Sequence, residues 1–162
     1  MKRKIKYKKA KIMFLIYILV FGGIFLYRRL AYRDYADIAP KENTVKYWVR
    51  YLYGYDGDTA YFRFEDGSEK ACRFLGVDAP EIDEEGYEAA KSYTDRILRN
   101  ASVIILEMDP QSDEYDRYDR LLAWVWADGE LVQILLLREG TARIRYLEDY
   151  YLYSGYLYQA AK

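Results

Sequence analysis

The sequence predicts a mainly β domain of the α+β class behind an N-terminal membrane helix. The chain of 162 residues has room for one domain of ordinary size and a short appendage. Five segments between residues 45 and 127 have strand patterns, and one helical segment separates the third from the fourth. Because two hairpin-linked groups of strands flank that helix, we expect a five-stranded Greek-key barrel of the OB type with two to three helices.

The elements follow from their local patterns. Alternation of side chains or a short apolar run predicts strands at Val45–Tyr53, Thr59–Glu65, Lys70–Val77, Val103–Met108 and Leu121–Ala127. Helical spacing predicts helices at Glu84–Arg99, Leu131–Glu139 and Tyr150–Lys162. Asp-Gly pairs at residues 66–67 and 128–129 predict hairpin turns.

The first 31 residues predict an uncleaved membrane anchor. Seven basic residues precede an uncharged run at residues 12–27, which Arg28 and Arg29 follow. The run is short for a bilayer, so the two arginines must snorkel to lengthen it. The positive N-terminus is predicted to stay in the cytoplasm, which makes this a single-pass cell-membrane protein with an extracellular domain. A cleaved signal and secretion are the alternative.

The remaining chain divides into a linker and a domain. Residues 32–44 are polar and contain Pro40, which ends any helix that begins in the anchor. Residues 45–162 are predicted to form the barrel domain. Residues 1–43 carry 11 Lys and Arg against 3 Asp and Glu, whereas residues 44–162 carry 14 against 23. An acidic domain repels a polyanion unless it holds a cation or a local cluster of arginines.

The absence of histidine restricts the chemistry of the domain. It excludes Ser-His-Asp hydrolases and HExxH metalloproteases. The single cysteine, Cys72, cannot form an internal disulfide or a cysteine-ligated zinc site, and strand alternation directs it to the core. Carboxylates, Arg, Lys, Ser, Thr or Tyr must therefore perform any reaction, together with a hard cation.

Three segments place charge where a barrel strand should be apolar, at residues 56–59, 73–81 and 116–120. Asp58, Asp78 and a backbone carbonyl suit a hard divalent cation such as Ca²⁺. Glu81 can then hold a water as general base. Arg73 and Arg120 supply guanidinium forks that match phosphate oxygens.

Each segment also has a purely structural interpretation. Asp-Gly pairs are mostly turn residues, and Asp56 fits that role. The Asp-x-Pro-Glu run at 78–81 is typical of a helix start, where carboxylates favour the helix dipole. Arg73 can simply neutralise a neighbouring carboxylate, and residues 116–120 can form a solvated charged face. Only the order of the three segments along one chain makes the functional interpretation specific.

In that order, residues from about Val45 to Tyr158 resemble the staphylococcal nuclease (thermonuclease) family. The matching runs are DGDT at 56–59, RFLGVDAPE at 73–81, GYEA at 86–89, DRYDRLLAWVWADG at 116–129 and LREGTARI at 137–144. The resemblance implies a five-stranded OB barrel with three helices. It also implies Ca²⁺-dependent hydrolysis of DNA and RNA by attack of water, which leaves 3′-phosphate ends.

The resemblance assigns roles to individual residues. The implied metal ligands are Asp58, Asp78 and the carbonyl of Ala79. The implied catalytic residues are Glu81 as general base, and Arg73 and Arg120 as ligands of the phosphate and of the transition state. The implied substrate contacts are Tyr118 and Tyr146, and we expect Arg117 in the same run to bind substrate.

Two features depart from the family pattern. The sequence stops at Lys162, early in the expected final helix, and lacks the hydrophobic residues that pack that helix on the barrel, so either the helix is short or the sequence is truncated. The second departure is a single residue. The family usually has glycine where this chain has Asp119, whose carboxylate either pairs with Arg120 and weakens phosphate binding or points to solvent. The leading hypothesis is a monomeric, membrane-anchored extracellular nuclease. The alternative is a non-catalytic OB module that binds nucleic acid or protein at the membrane. The complete set of carboxylates and arginines favours the enzyme.

Overall fold

A five-stranded barrel organises residues 38–162, the part of the chain that the computed structural model describes. In chain order the elements are β1 (Lys46–Gly54), β2 (Thr59–Arg63), β3 (Glu69–Phe74), β4 (Val77–Asp78), α1 (Tyr87–Asn100), β5 (Ile104–Glu107), β6 (Leu121–Ala127), β7 (Glu130–Leu131), α2 (Val132–Glu139), β8 (Arg143–Ile144) and α3 (Ser154–Ala160). Antiparallel pairings join β3-β2-β1-β5-β6, and a parallel β3–β6 pairing closes the barrel. This closed barrel with three helices fits the predicted OB fold.

The barrel interior is filled by the inward side of each strand. On β3, Cys72 and Phe74 are buried, as the alternation predicts, while Arg73 between them faces outward. Burial raises the pKa of the Cys72 thiol, as expected for a core residue. Strand β6 is buried along nearly its whole length because α2 covers its outer side. There the Gln133 amide donates to the Ala123 carbonyl at 3.0 Å and accepts from the Val125 N–H at 3.2 Å.

The predicted strand at Lys70–Val77 is wrong in one respect, since the structure divides it in two. Strand β3 ends at Phe74, and Gly76 has φ of 74°, a left-handed conformation that glycine adopts without strain. The chain therefore turns before β4, which pairs with β8 through Val77–Ile144 and Asp78–Arg143. This turn places Asp78 over the end of the barrel beside Arg143.

Helix α1 begins three residues later than predicted. Gly86 has φ of 93° and precedes the first helical residue, Tyr87. The predicted start at Glu84 is therefore wrong, and residues 81–86 form an exposed loop instead. That loop carries Glu81 at the entrance to the cleft described below.

The two ends of the described region meet at the buried carboxyl of Glu107. Its Oε1 accepts from the Lys41 N–H and the Thr44 hydroxyl, both at 2.7 Å. Its Oε2 accepts from the Trp126 indole at 2.8 Å and the Tyr153 hydroxyl at 2.9 Å. Residues 38–44, which the sequence assigns to the linker, thus contact the barrel.

Helix α3 is short and is packed by few side chains. Leu157 and the preceding Tyr153 are both fully buried, and Tyr153 lies edge-on to Trp124 and Trp126 with ring centroids 5.3 Å apart. The expectation that this helix lacks hydrophobic packing residues is therefore wrong. The helix packs mainly against α2.

The predicted anchor at residues 1–31 and the first part of the linker lie outside the described residues. Within residues 38–162, no helix has both the length and the apolar content needed to cross a membrane.

Candidate active site

A cleft of about 660 Å³ opens between the end of β3, the β4–β8 pair and the loop before β6. The predicted site residues that line it are Arg73, Asp78, Ala79, Glu81, Arg117, Tyr118, Arg120 and Tyr146. Asp58 lies beneath them and bonds to Arg73 and Ala79. The parallel β3–β6 pairing sets Arg73 opposite Leu122, which brings the loop that carries Arg120 to the same cleft.

The turn at residues 56–59 aims the carboxylate of Asp58 at the cleft floor. Asp56 accepts the Asp58 N–H at 2.9 Å, so Asp56 has the structural role of a turn residue. Asp58 Oδ2 accepts the Ala79 N–H at 2.5 Å. Gly57 permits this approach, since an added Cβ would lie 2.6 Å from the Ala79 Cβ and 2.7 Å from the Ala90 Cβ.

Arg73 forms ion pairs with both buried carboxylates of the site. Its Nη1 forms an ion pair with Asp58, and its Nη2 lies 3.2 Å from Asp78 Oδ1. Burial lowers the pKa of Arg73, and the charge of Arg120 acts in the same direction. The charges of Asp56, Asp78 and Glu81 oppose this effect. Nη1 is buried, and its partner within residues 38–162 is the carboxylate of Asp58.

Arg120 is held in place by Asp116. The Nε and Nη2 atoms of Arg120 each lie 2.7 Å from Asp116 Oδ2, and its Nη1 donates to the Thr59 hydroxyl at 3.2 Å. Partial burial raises the pKa of Asp116, but hydrogen bonds from Arg120 and Tyr118 outweigh it and hold the pKa below its ordinary value. The guanidinium is therefore oriented before any substrate arrives.

The substrate-contact candidates lie at the cleft mouth. Tyr118 is 63% exposed and Tyr146 is 71% exposed. Arg117 donates to the Tyr118 hydroxyl at 2.6 Å and covers its ring at 4.7 Å. An exposed tyrosine ring that a guanidinium group covers on one face can stack on a nucleotide base with the other.

Asp119 occupies a backbone position that favours glycine. Its φ is 61°, and its N–H donates to the Asp116 carbonyl at 3.0 Å within the turn that ends at Arg120. The side chain is exposed. Among the ion pairs of residues 38–162, Arg120 pairs with Asp116 and not with Asp119. Asp119 is therefore compatible with an intact phosphate-binding arginine.

We expect Asp119→Gly to leave cleavage unchanged or slightly raised. The free energy of unfolding should stay unchanged or increase by up to about 1 kcal/mol, because glycine relieves the left-handed conformation. Urea denaturation and cleavage rates would measure the two effects. Asp119→Asn is the matched control, since asparagine tolerates this conformation but carries no charge. A several-fold faster Asp119→Asn variant would contradict the view that the carboxylate does not compete for Arg120.

The donor set of the cleft fits a hard cation. Asp58 and Asp78 are buried and present carboxylate oxygens on either side of Arg73. Among residues 38–162, no group of three or more His, Cys, Asp or Glu side chains could hold a metal ion. Two carboxylates would therefore need a backbone carbonyl and waters to complete the coordination, which is a combination that Ca²⁺ accepts.

Two arginines at the site were missed by the sequence analysis. Arg143 donates to Asp78 Oδ2 from Nη2 at 2.8 Å and from Nε at 3.1 Å, and Arg145 Nη1 lies 3.1 Å from the same oxygen. Burial raises the pKa of Asp78, but the hydrogen bonds from these arginines outweigh it and lower that pKa. Strand β8 contains only Arg143 and Ile144, so no strand pattern in the sequence could have found this pair.

Comparison with known proteins agrees with this geometry. The profile of the family described as "Staphylococcal nuclease homologue" matches residues 71–161, which is more than half of the chain. The chain belongs to the staphylococcal nuclease family. The resemblance that the motifs predict is therefore confirmed, and the matched range contains every proposed site residue except Asp58.

Several characterised nucleases have sequences similar to that of this chain. The thermonuclease of Staphylococcus hyicus is 39% identical over 114 residues, which cover 66% of this chain and 64% of the relative. Endonuclease YncB of Bacillus subtilis (strain 168) is 38% identical over 99 residues, covering 58% of this chain and 46% of the relative. The thermonuclease of Staphylococcus intermedius is 31% identical over 113 residues, covering 66% and 65%. The match thus spans less than two thirds of each relative's length.

Proposed function

We propose that this protein is a calcium-dependent nuclease that hydrolyses phosphodiester bonds of DNA, RNA or both. The observation that carries the proposal is the convergence of Arg73, Asp78, Glu81 and Arg120 on one cleft from two separate chain segments. Asp58, from a third segment, lies beneath them and bonds to Arg73. Similarity to proteins named thermonuclease and endonuclease supports the same reaction class. We also propose that the protein is a monomer.

In this proposal the buried carboxylates of Asp58 and Asp78, with the carbonyl of Ala79, hold the ion. When bound, a divalent cation would polarise the phosphate and favour ionisation of a nearby water. Glu81 accepts the proton of the attacking water, and its exposed position at the cleft mouth gives that water access.

Arg73 and Arg120 are proposed to bind the non-bridging phosphate oxygens. Charge increases on these oxygens as water attacks, so two oriented guanidinium forks stabilise the transition state more than the ground state. Departure of the 5′-oxygen leaves a 3′-phosphate end. Arg117, Tyr118 and Tyr146 are proposed to contact the nucleotides on either side.

Cleavage of labelled single-stranded and double-stranded oligonucleotides by the full chain tests this proposal. We expect cleavage with Ca²⁺, loss of cleavage with a chelator and recovery when calcium is returned. End-group analysis should find 3′-phosphates. Binding of oligonucleotides without cleavage at any calcium concentration would contradict the nuclease and support a non-catalytic binding module instead.

We also propose that residues 1–31 retain the protein at the cell membrane with the barrel outside. The basic segment followed by an uncharged run supports this topology. In fractionated cells, the full chain should sediment with membranes and be accessible to external protease. Activity found only in the medium, on a chain that lacks residues 1–31, would support a cleaved signal and contradict the anchor.

A further inference from the structure

Arg143 and Arg145 bind one carboxylate that already has another cation. Asp78 receives Arg73 on Oδ1, while both other arginines converge on Oδ2. Arg73 has a second partner in Asp58, whereas the ion pairs of Arg143 and Arg145 within residues 38–162 lead to Asp78. A single carboxylate oxygen is thus the shared anion of two guanidinium groups.

The heads of these two arginines lie at the open side of the cleft. Their side chains are 69% and 47% exposed, whereas that of Asp78 is 11% exposed. Each guanidinium has five N–H donors. Arg143 uses two nitrogens on Asp78 and Arg145 uses one, so both keep donors for another oxyanion.

Their convergence on Oδ2 shows that both groups can reach one oxyanion together. Strand pairing fixes Arg143 opposite Asp78, and the ring of Tyr146 lies 4.9 Å from the guanidinium carbon of Arg145. Since Arg73 binds the opposite oxygen of Asp78, the two sets of cations are adjacent but separate. With a divalent cation on Asp78, that carboxylate would no longer neutralise Arg143 and Arg145.

We propose that Arg143 and Arg145 form a second phosphate subsite that binds a phosphodiester adjacent to the scissile one. The proposal rests on the nuclease function proposed above and specifies its substrate as a chain with at least two successive phosphodiesters. Arg73 and Arg120 contact the scissile phosphate, and the pair of Arg143 in β8 and Arg145 directly after it contacts the neighbouring phosphate. A dinucleotide, with one phosphodiester, leaves the second subsite empty.

Binding measurements on the full chain test the subsite without depending on turnover. In a Glu81→Gln background with Ca²⁺, fluorescence anisotropy would give the Kd of a labelled single-stranded oligonucleotide at several salt concentrations. We expect Arg143→Gln and Arg145→Gln each to weaken binding by about tenfold. Each should also reduce the slope of log Kd against log salt concentration by about 0.7, the value for one phosphate contact to a single strand. Arg96→Gln, an exposed change on α1 away from the cleft, should alter neither quantity beyond a small uniform effect.

Oligonucleotides with one uncharged methylphosphonate linkage locate the contact. In the protein with both arginines, an uncharged linkage next to the scissile one should weaken binding. In the variant with glutamine at both positions, the same linkage should cause no further loss of affinity, because the two changes remove the same interaction. The subsite proposal would be overturned if the losses of affinity from the linkage and from the arginine variants were additive. It would also be overturned if every linkage caused the same loss, or if Arg96→Gln weakened binding as much as the arginine-pair variants. Unchanged binding with weaker calcium affinity would also overturn it and assign the pair to support of Asp78.

A trinucleotide and a dinucleotide separate this proposal from the nuclease proposal. These measurements use the catalytically intact protein, with Glu81 unchanged. The ratio of kcat/KM for the trinucleotide to kcat/KM for the dinucleotide should fall towards one when Arg143 and Arg145 are both replaced by glutamine. An unchanged ratio with normal cleavage would overturn only the subsite, whereas absence of all cleavage would overturn the nuclease. If the double variant does not fold, Arg145→Gln alone provides the same test, with a smaller expected fall of the ratio.

Discussion

Glu81→Gln is expected to lower the rate of cleavage by about 10²–10⁴-fold while oligonucleotide binding stays nearly unchanged. The amide keeps the size of the side chain but cannot accept a proton from water. Because Glu81 is exposed, the free energy of unfolding should change by no more than about 0.5 kcal/mol. Single-turnover cleavage with enzyme in excess measures the chemical step, and fluorescence anisotropy measures binding.

Neighbouring carboxylates provide the controls for this experiment. Glu84 lines the same cleft and accepts the Glu81 N–H at 2.9 Å, so it is the competing candidate for the base. Glu85 is exposed in the same loop and does not line the cleft. Glu85→Gln should be silent, and Glu84→Gln should have a much smaller effect than Glu81→Gln. A larger loss in Glu84→Gln would move the base to that residue.

The sequence was sufficient for the barrel and for the residues that lie on its strands. Alternation on β3 puts Cys72 and Phe74 in the core and Arg73 opposite them, and the structure agrees. The candidate site residues were predicted from the motifs and the family resemblance; the structure brings most of them to one cleft, and their roles stay predictions. Asp119 was ambiguous, since a sequence does not reveal a positive φ, and only the structure shows Asp116 as the partner of Arg120.

Contacts made by short or irregular segments could not be predicted. Strands β4 and β8 have two residues each, too few for a periodic pattern, so the approach of Arg143 to Asp78 required the structure. The turn at Gly76 is similar, because one glycine within an apolar run does not mark a break. Residues 38–44 are polar like a linker, yet their hydrogen bonds go to a carboxyl 66 positions away from Lys41.

That carboxyl, Glu107, gives the second large effect that we expect. Glu107→Ala should lower the free energy of unfolding by about 2–6 kcal/mol, because the two fully buried donors, on Trp126 and Tyr153, lose their acceptor at about 1–3 kcal/mol each and the part-buried donors can turn to water. The donors are the Lys41 and Trp126 N–H groups and the Thr44 and Tyr153 hydroxyls. A domain with a total stability of about 5–15 kcal/mol would lose a large part of it. Urea denaturation followed by tryptophan fluorescence measures the loss, since Trp126 contacts Glu107 directly.

Two further variants separate loss of the acceptor from other effects. Glu107→Gln keeps the volume, but its NH₂ group must face either the Lys41 N–H or the Trp126 N–H, so we expect a smaller loss of about 1–3 kcal/mol. Glu65→Ala, an exposed change in the β2–β3 hairpin, should stay within about 0.5 kcal/mol of the unsubstituted protein.

Local and catalytic measurements then show whether Glu107 attaches residues 38–44 to the barrel. In Glu107→Ala, proteolysis after Lys41 should become faster, because the Lys41 N–H and the Thr44 hydroxyl lose their acceptor. Glu107 does not line the cleft, so the cleavage rate per folded molecule should remain normal. A stability loss below about 1 kcal/mol, or a folded variant that has lost turnover, would contradict a purely structural role for this carboxyl.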